Sequence, residues 1–158
     1  MSFLSSIFSK HQKINYAGMT YERLNTNDFL PIGHRRDMLL VETTTFNAPM
    51  DFEDTLTEIR HRGYYPLLAH PERYNYIHSI GDYRKLKELG VRFQMNLLSL
   101  TGFYGKVAME KAQKMLKAGM YDAFGSDIHR PEQLLNLNQL SLTKESSHSL
   151  QLIQSNIR

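Results

Sequence analysis

The chain contains no cysteine among its 158 residues, and this absence excludes two kinds of chemistry. Disulfide bonds cannot stabilise the fold, and a cysteine thiolate cannot serve as a nucleophile. Any hydrolytic reaction must therefore depend on a metal ion, a hydroxyl group or a carboxylate.

Long apolar runs are also missing from the sequence. No stretch approaches the roughly 18 to 20 residues that a helix needs to cross a bilayer. Residues 1–8 lack the basic start and the small-residue cleavage site of a secretory signal. These features predict a cytoplasmic protein without a membrane span. The net charge is only +3, with Lys and Arg scattered along the chain, and this argues against a nucleic-acid partner.

The composition, 41% hydrophobic and 22% charged, is typical of a globular protein with a sizeable core. We expect an irregular N-terminal segment (1–36), an α/β domain (37–140) and a polar tail (141–158). Within the domain, the periodicity predicts strands at 38–44, 64–69, 91–96 and 121–125, helices at 52–62, 83–89 and 106–118, and a further helix from Pro131. This alternation predicts parallel strands in a sheet or barrel, with functional loops at their C-terminal ends.

Acidic and histidine side chains follow three of the predicted strands. Glu42 follows an apolar run, His70 ends the next strand, and Asp127 and His129 come just after the last one. Carboxylates and neutral imidazoles bind divalent metals such as Mn, Fe(II) or Zn. Side chains two residues apart in an extended segment share a face, so Asp127 and His129 are expected to act together. The sequence therefore predicts a metal site formed by Glu42, His70, Asp127 and His129.

Each of these residues, taken alone, also fits a structural role. Glu42 fits a solvent-facing glutamate at a strand end, and His70 fits a hydrogen-bonded histidine of the core. Asp127 and His129 fit a local cap before Pro131. Their occurrence together, after three strands of one chain, favours the site.

Two further features have open alternatives. Arg73 can bind a phosphate with a bidentate hydrogen bond or pair with Glu72 or Asp82. The segment 96–106, which contains two glycines before a predicted helix, can bind an anion on backbone N–H groups or be a plain loop.

The chain resembles the bacterial metal-dependent protein-tyrosine phosphatases of capsule and exopolysaccharide gene clusters, which belong to the polymerase and histidinol phosphatase (PHP) superfamily. The resemblance rests on Glu42 and on three segments: His-Pro-Glu-Arg-Tyr at 70–74, Gln-Met-Asn-Leu-Leu-Ser-Leu-Thr-Gly at 94–102 and Ser-Asp-Ile-His at 126–129. It covers residues 37–135, and the motifs occur in the family's order.

This resemblance implies a distorted β/α barrel, here a partial one, that binds up to three metal ions, usually manganese. Its expected reaction is hydrolysis of phosphotyrosine on a bacterial tyrosine kinase that controls polysaccharide chain length. Glu42 is then similar to a bridging metal ligand and His70 to a further ligand. Asp127 and His129 resemble the closing ligand pair at the reaction centre, and Arg73 a phosphate contact. Metal ions so placed activate water and neutralise phosphoryl oxygens without any cysteine.

The chain departs from the family in its first half. Members begin with a His-X-His strand and an Asp-Asp-Gly loop, followed by Thr-Pro-His and Gly-Glu-Tyr segments, and none of these motifs is present. Two hypotheses follow: a tyrosine phosphatase whose site is impaired by missing ligands, or an inactive remnant that acts as a binding module. Another phosphoesterase, such as a histidinol-phosphate phosphatase, is a weaker alternative. Because an incomplete barrel leaves a strand edge unpaired, we also expect self-association or marginal stability.

Overall fold

The structure, a computed structural model, describes residues 14–15, 31–33 and 36–156. Its strands are β1 (Ile14–Asn15), β2 (Met38–Glu42), β3 (Tyr65–Ala69), β4 (Arg92–Asn96) and β5 (Ala123–Gly125). Its α-helices are α1 (Phe52–His61), α2 (Ile80–Glu88), α3 (Lys106–Lys117), α4 (Pro131–Asn138) and α5 (Lys144–Asn156). Two short 3-10 turns lie at Pro71–Arg73 and Leu97–Thr101. The predicted α/β class is confirmed, while most of the segment 1–36 lies outside the described residues.

The described chain divides into two compact units. The first unit contains the short segment His70–Arg73 and the chain from Phe93 onward, which carries β5 and helices α3 to α5. The second unit contains the described chain up to Ala69 together with Tyr74–Arg92, and it carries β1 to β3 and helices α1 and α2. The predicted domain at 37–140 is thus divided between two units.

The second unit is built on parallel strands. Strand β2 pairs with β1 and β3 in parallel, and Leu40 lies opposite Leu67 in the register. The interiors of β2 and β3 are buried and almost wholly apolar, as is usual for parallel strands covered on both faces. Helix α1 adds Phe52, Leu56 and Ile59 to this core at helical spacing.

Helix α2 begins three residues earlier than the periodicity predicts. Ser79 accepts a hydrogen bond from the backbone N–H of Asp82, and the Asp82 carboxylate accepts one from the backbone N–H of Ser79. This reciprocal capping box satisfies N–H groups that the first helical turn leaves without partners. The helix can therefore start at Ile80, before the first buried residue of its apolar face.

In the first unit, β4 and β5 pair in parallel, with Met95 opposite Phe124. Helix α3 packs on both 3-10 turns, and its buried residues are Ala108, Ala112, Met115 and Leu116. The predicted polar tail contains helix α5, which packs on α3 and buries Leu150 and Ile153. In the described part of the chain, no helix is long and apolar enough to cross a membrane.

Candidate functional site

The chain turns sharply at His70, directly after strand β3. His70 has a φ of 37°, in the left-handed region that residues with a side chain rarely adopt. Its N–H donates to the carbonyl of Gln94 at 2.7 Å, and its own carbonyl accepts from the N–H of Arg73 at 3.0 Å. These bonds hold the turn, and the His70 side chain is only 3% exposed. Such conformations cost of order 1–3 kcal/mol and concentrate at functional sites.

Asp127, which follows β5, has the same kind of backbone conformation, with a φ of 45°. The expectation of an extended segment from Asp127 to His129 is therefore wrong, because a left-handed residue breaks the alternation of side chains between two faces. The two side chains nevertheless meet. Nε2 of His129 lies 2.9 Å from Oδ1 of Asp127.

The carboxylate of Asp127 joins the histidines to Arg73. Its Oδ2 lies 4.0 Å from Nε2 of His70 and 3.8 Å from Nη1 of Arg73. The structure thus brings His70, Arg73, Asp127 and His129 together within the first unit. Asp127 and Arg73 are 19% and 23% exposed, so the group remains open to a ligand from solvent.

Arg73 does not pair with Glu72, and that alternative is wrong. Glu72 is 1% exposed and points into the first unit. Arg73 instead has its guanidinium carbon 4.0 Å above the centre of the Tyr104 ring. A guanidinium carries five N–H donors, so an arginine held by stacking retains donors for an anion such as phosphate.

Glu72 is a buried residue that sequence reasoning missed. Its Oε1 accepts hydrogen bonds from the N–H of Asn96 at 3.0 Å and from the hydroxyl of Ser99 at 2.7 Å, and its Oε2 accepts one from the hydroxyl of Tyr121 at 3.0 Å. Burial raises the pKa of the Glu72 carboxyl, and the hydrogen bonds from Ser99 and Asn96 oppose that rise. The network fixes the turn between His70 and Arg73. Its only signal in the sequence is the position of Glu72 between those two residues.

Gln133 is a second residue that sequence reasoning missed. Its side-chain oxygen accepts from the N–H groups of His129 at 2.6 Å and Arg130 at 2.9 Å. Its amide nitrogen donates to the hydroxyl of Tyr104 at 3.4 Å. Gln133 is 8% exposed, and it anchors the loop that carries His129. The capping position at the start of α4, three residues after Arg130, is the signal that could have identified it.

The fourth predicted metal ligand, Glu42, ends β2 in the second unit, where it is half-buried. Its membership of a metal site stays a prediction. Among the described residues, no three His, Cys, Asp or Glu side chains are arranged to hold a metal ion. The donor atoms of His70, Asp127 and His129 are of the kinds that bind a divalent metal. The three side chains do not form an assembled metal centre in this arrangement.

Comparison with known proteins agrees with this fold. The sequence model of the family described as "Capsular polysaccharide synthesis, CpsB/CapC" matches residues 6–136. The chain belongs to this family, and the predicted resemblance is confirmed. No curated protein matches the chain.

A solved structure has the same fold, with a TM-score of 0.67 and 22% sequence identity. It comes from the crystal structures of YwqE from Bacillus subtilis and CpsB from Streptococcus pneumoniae, which are described as unique metal-dependent tyrosine phosphatases. The match covers 94% of this chain and 64% of that one. The chain thus spans less than two thirds of the length of the protein in that structure.

Proposed function

We propose that this chain hydrolyses phosphotyrosine on a protein substrate with the help of a divalent metal ion. The observation that carries the proposal is the meeting of Arg73, two histidines and Asp127 in one unit, where His70 and Asp127 both have left-handed backbones. Membership of a capsular polysaccharide family and likeness to metal-dependent tyrosine phosphatases support it. We further propose manganese as the metal, with iron or zinc as alternatives, and a tyrosine kinase of polysaccharide synthesis in the cytoplasm as the substrate.

In this proposal, His70, Asp127 and His129 of the first unit would hold the metal, and the role of Glu42 as a ligand stays a prediction from the sequence. A bound divalent ion supplies an activated water molecule and neutralises charge on the phosphoryl group. Arg73 can donate two parallel hydrogen bonds to phosphoryl oxygens. Stacking on Tyr104 limits the motion of this guanidinium, so less entropy is lost when phosphate binds.

The second candidate function is a binding module without turnover. A specific observation favours it: the described residues contain no assembled group of three ligands. In this case Arg73 binds a phosphotyrosine side chain of a partner, and no hydrolysis follows.

Turnover of a phosphotyrosine peptide, measured with Mn²⁺ and with a chelator, separates the two functions. We expect release of phosphate that depends on Mn²⁺. Asp127→Asn should abolish this release. Arg73→Ala should lower its rate about 100-fold, as is common when a donor to the transition state is removed. Asp54→Asn, which changes an exposed carboxylate of α1, is the matched control and should leave the rate unchanged. Turnover that persists in chelator and in both site variants would contradict the proposal. Saturable peptide binding without turnover would establish the binding module.

A further inference from the structure

A tight turn beside the candidate site displays two aromatic side chains. It runs from Gly102 to Gly105, and the N–H of Gly105 donates to the carbonyl of Gly102 at 2.8 Å. Both glycines have left-handed φ values, 82° and 91°, that residues with a side chain rarely adopt. Phe103 and Tyr104 occupy the two central positions. We call this segment the aromatic turn.

Tyr104 is fixed at both its hydroxyl and its ring. The hydroxyl oxygen accepts hydrogen bonds from the side-chain amides of Asn96 at 3.2 Å and Gln133 at 3.4 Å. The ring faces the Arg73 guanidinium at 4.0 Å. Tyr104 thereby connects the end of β4, the first turn of α4 and the arginine, all within the first unit.

Phe103 lies against Tyr104 but remains open to solvent. The two rings meet edge to face, with their centres 5.0 Å apart and their planes at 90°. Phe103 is 40% exposed, in contrast to the fully buried Phe93 of β4. Its backbone is held as well, because its N–H donates to the hydroxyl of Thr101 at 3.3 Å. A large aromatic ring is thus presented on a rigid turn, one residue from the ring that faces Arg73.

We propose that Phe103 is a specificity-determining residue that receives the aromatic ring of an aryl phosphate whose phosphate group lies on Arg73. The inference rests on the proposed function and adds to it the residue that selects the organic part of the substrate. An aryl ring can extend the edge-to-face pair of Phe103 and Tyr104, and an aromatic pair adds affinity beyond that from the burial of area. An alkyl phosphate binds the same arginine without this gain.

The experiment is calorimetric titration with two phosphonates, phenylphosphonate and n-propylphosphonate, in the presence of Mn²⁺. Their phosphorus–carbon bonds resist hydrolysis, so the measured affinities contain no contribution from a leaving group. We expect the full chain to bind the aryl compound about three- to tenfold more tightly, which is the fold-change for one aromatic pair. Phe103→Ala and Phe103→Leu should bring the ratio close to one, and Phe103→Tyr should retain it.

Leu135→Ala is the matched control, because Leu135 is an exposed apolar residue of α4 outside the aromatic turn. Its aryl-to-alkyl ratio should equal that of the unchanged chain. A ratio that survives Phe103→Ala would overturn the inference, and so would equal affinity for both compounds or no binding of either by the unchanged chain. Aryl-selective binding without turnover of phosphotyrosine peptide supports the inference and contradicts the proposed hydrolysis. Turnover of the peptide without aryl-selective binding contradicts the inference and supports the proposed hydrolysis.

Discussion

At the residue scale, the sequence identifies the types of side chain at the site but not the backbone that brings them together. The strand-end positions of His70 and Asp127 predicted both residues as site members, yet nothing in the sequence predicts their left-handed φ values. Glycine is the usual residue there, and asparagine, aspartate and histidine are enriched among the others, but residue type alone does not tell which of them adopt this conformation. The conformation of His70 depends on long-range partners such as the carbonyl of Gln94, which local propensity does not contain.

The burial of Glu72 couples its protonation to the stability of the fold. Because its pKa is raised above the ordinary 4.5, the folded chain keeps the proton at pH values where the unfolded chain releases it. The stability of the unchanged chain should therefore fall as pH rises from about 4.5 towards the raised pKa. Gln does not titrate, and its amide can donate to the Tyr121 hydroxyl, which then turns towards Sδ of Met115. Glu72→Gln should gain stability relative to the unchanged chain across this window.

Denaturant unfolding at several pH values measures this difference. Glu72→Leu is the informative comparison, because it leaves the backbone N–H of Asn96 and the hydroxyl of Ser99 buried without their acceptor. It should cost about 3 kcal/mol or more at every pH. A constant difference between Glu72→Gln and the unchanged chain from pH 4 to 8 would show that Glu72 does not titrate as its burial implies.

At the element scale, the periodicity located the helices and strands, but it missed ends that local hydrogen bonds determine. Helix α2 begins at Ile80 because of its capping box, while the apolar face alone gives a start at Tyr83. Helix α5 was expected as a polar tail, since its buried residues are few and widely spaced. The buried face of α5 is apparent only from the packing of this helix on α3 and β5.

The capping box of α2 should make the stability of this helix sensitive to acid. Hydrogen bonds from the side chain and backbone of Ser79 lower the pKa of Asp82. The stabilisation by its carboxylate is therefore present above the ordinary pKa and is lost as pH falls through the lowered one. Asp82→Asn should lower the melting temperature at pH 7 and have little effect near pH 2. Glu88→Gln, at the exposed C-terminal end of α2, should cause no comparable loss. An equal effect of Asp82→Asn at both pH values would contradict the role of the charge.

Two neighbouring residues of α5 test whether this helix belongs to the core. Ile153 is buried and Leu152 is 53% exposed. Truncation of a buried isoleucine leaves a cavity, so Ile153→Ala should lower the free energy of unfolding by about 2–4 kcal/mol. Leu152→Ala should change it by no more than about 0.5 kcal/mol. Similar values for the two variants, measured by urea unfolding, would show that α5 does not pack as described.

At the scale of the whole molecule, the sequence predicted the fold class and the family but not the division into two units. That division depends on which residues pack together, and the alternation of strands and helices is the same on both sides of it. Three predicted ligands, His70, Asp127 and His129, meet in the first unit, and Glu42 lies in the second. The expected self-association stays a prediction, as does the partner kinase.

The proposed function rests on one claim, that side chains of the first unit bind a divalent metal for phosphate chemistry. Calorimetric titration of the full chain with Mn²⁺ tests it most directly, with His129→Ala beside it and His148→Ala, in α5, as the histidine control. We predict saturable but weak binding, because the family's His-X-His and Thr-Pro-His segments are absent. His129→Ala should lower the affinity for Mn²⁺ about 10-fold or more. His148→Ala should leave it unchanged. No saturable binding, or binding that His129→Ala does not weaken, would contradict the claim.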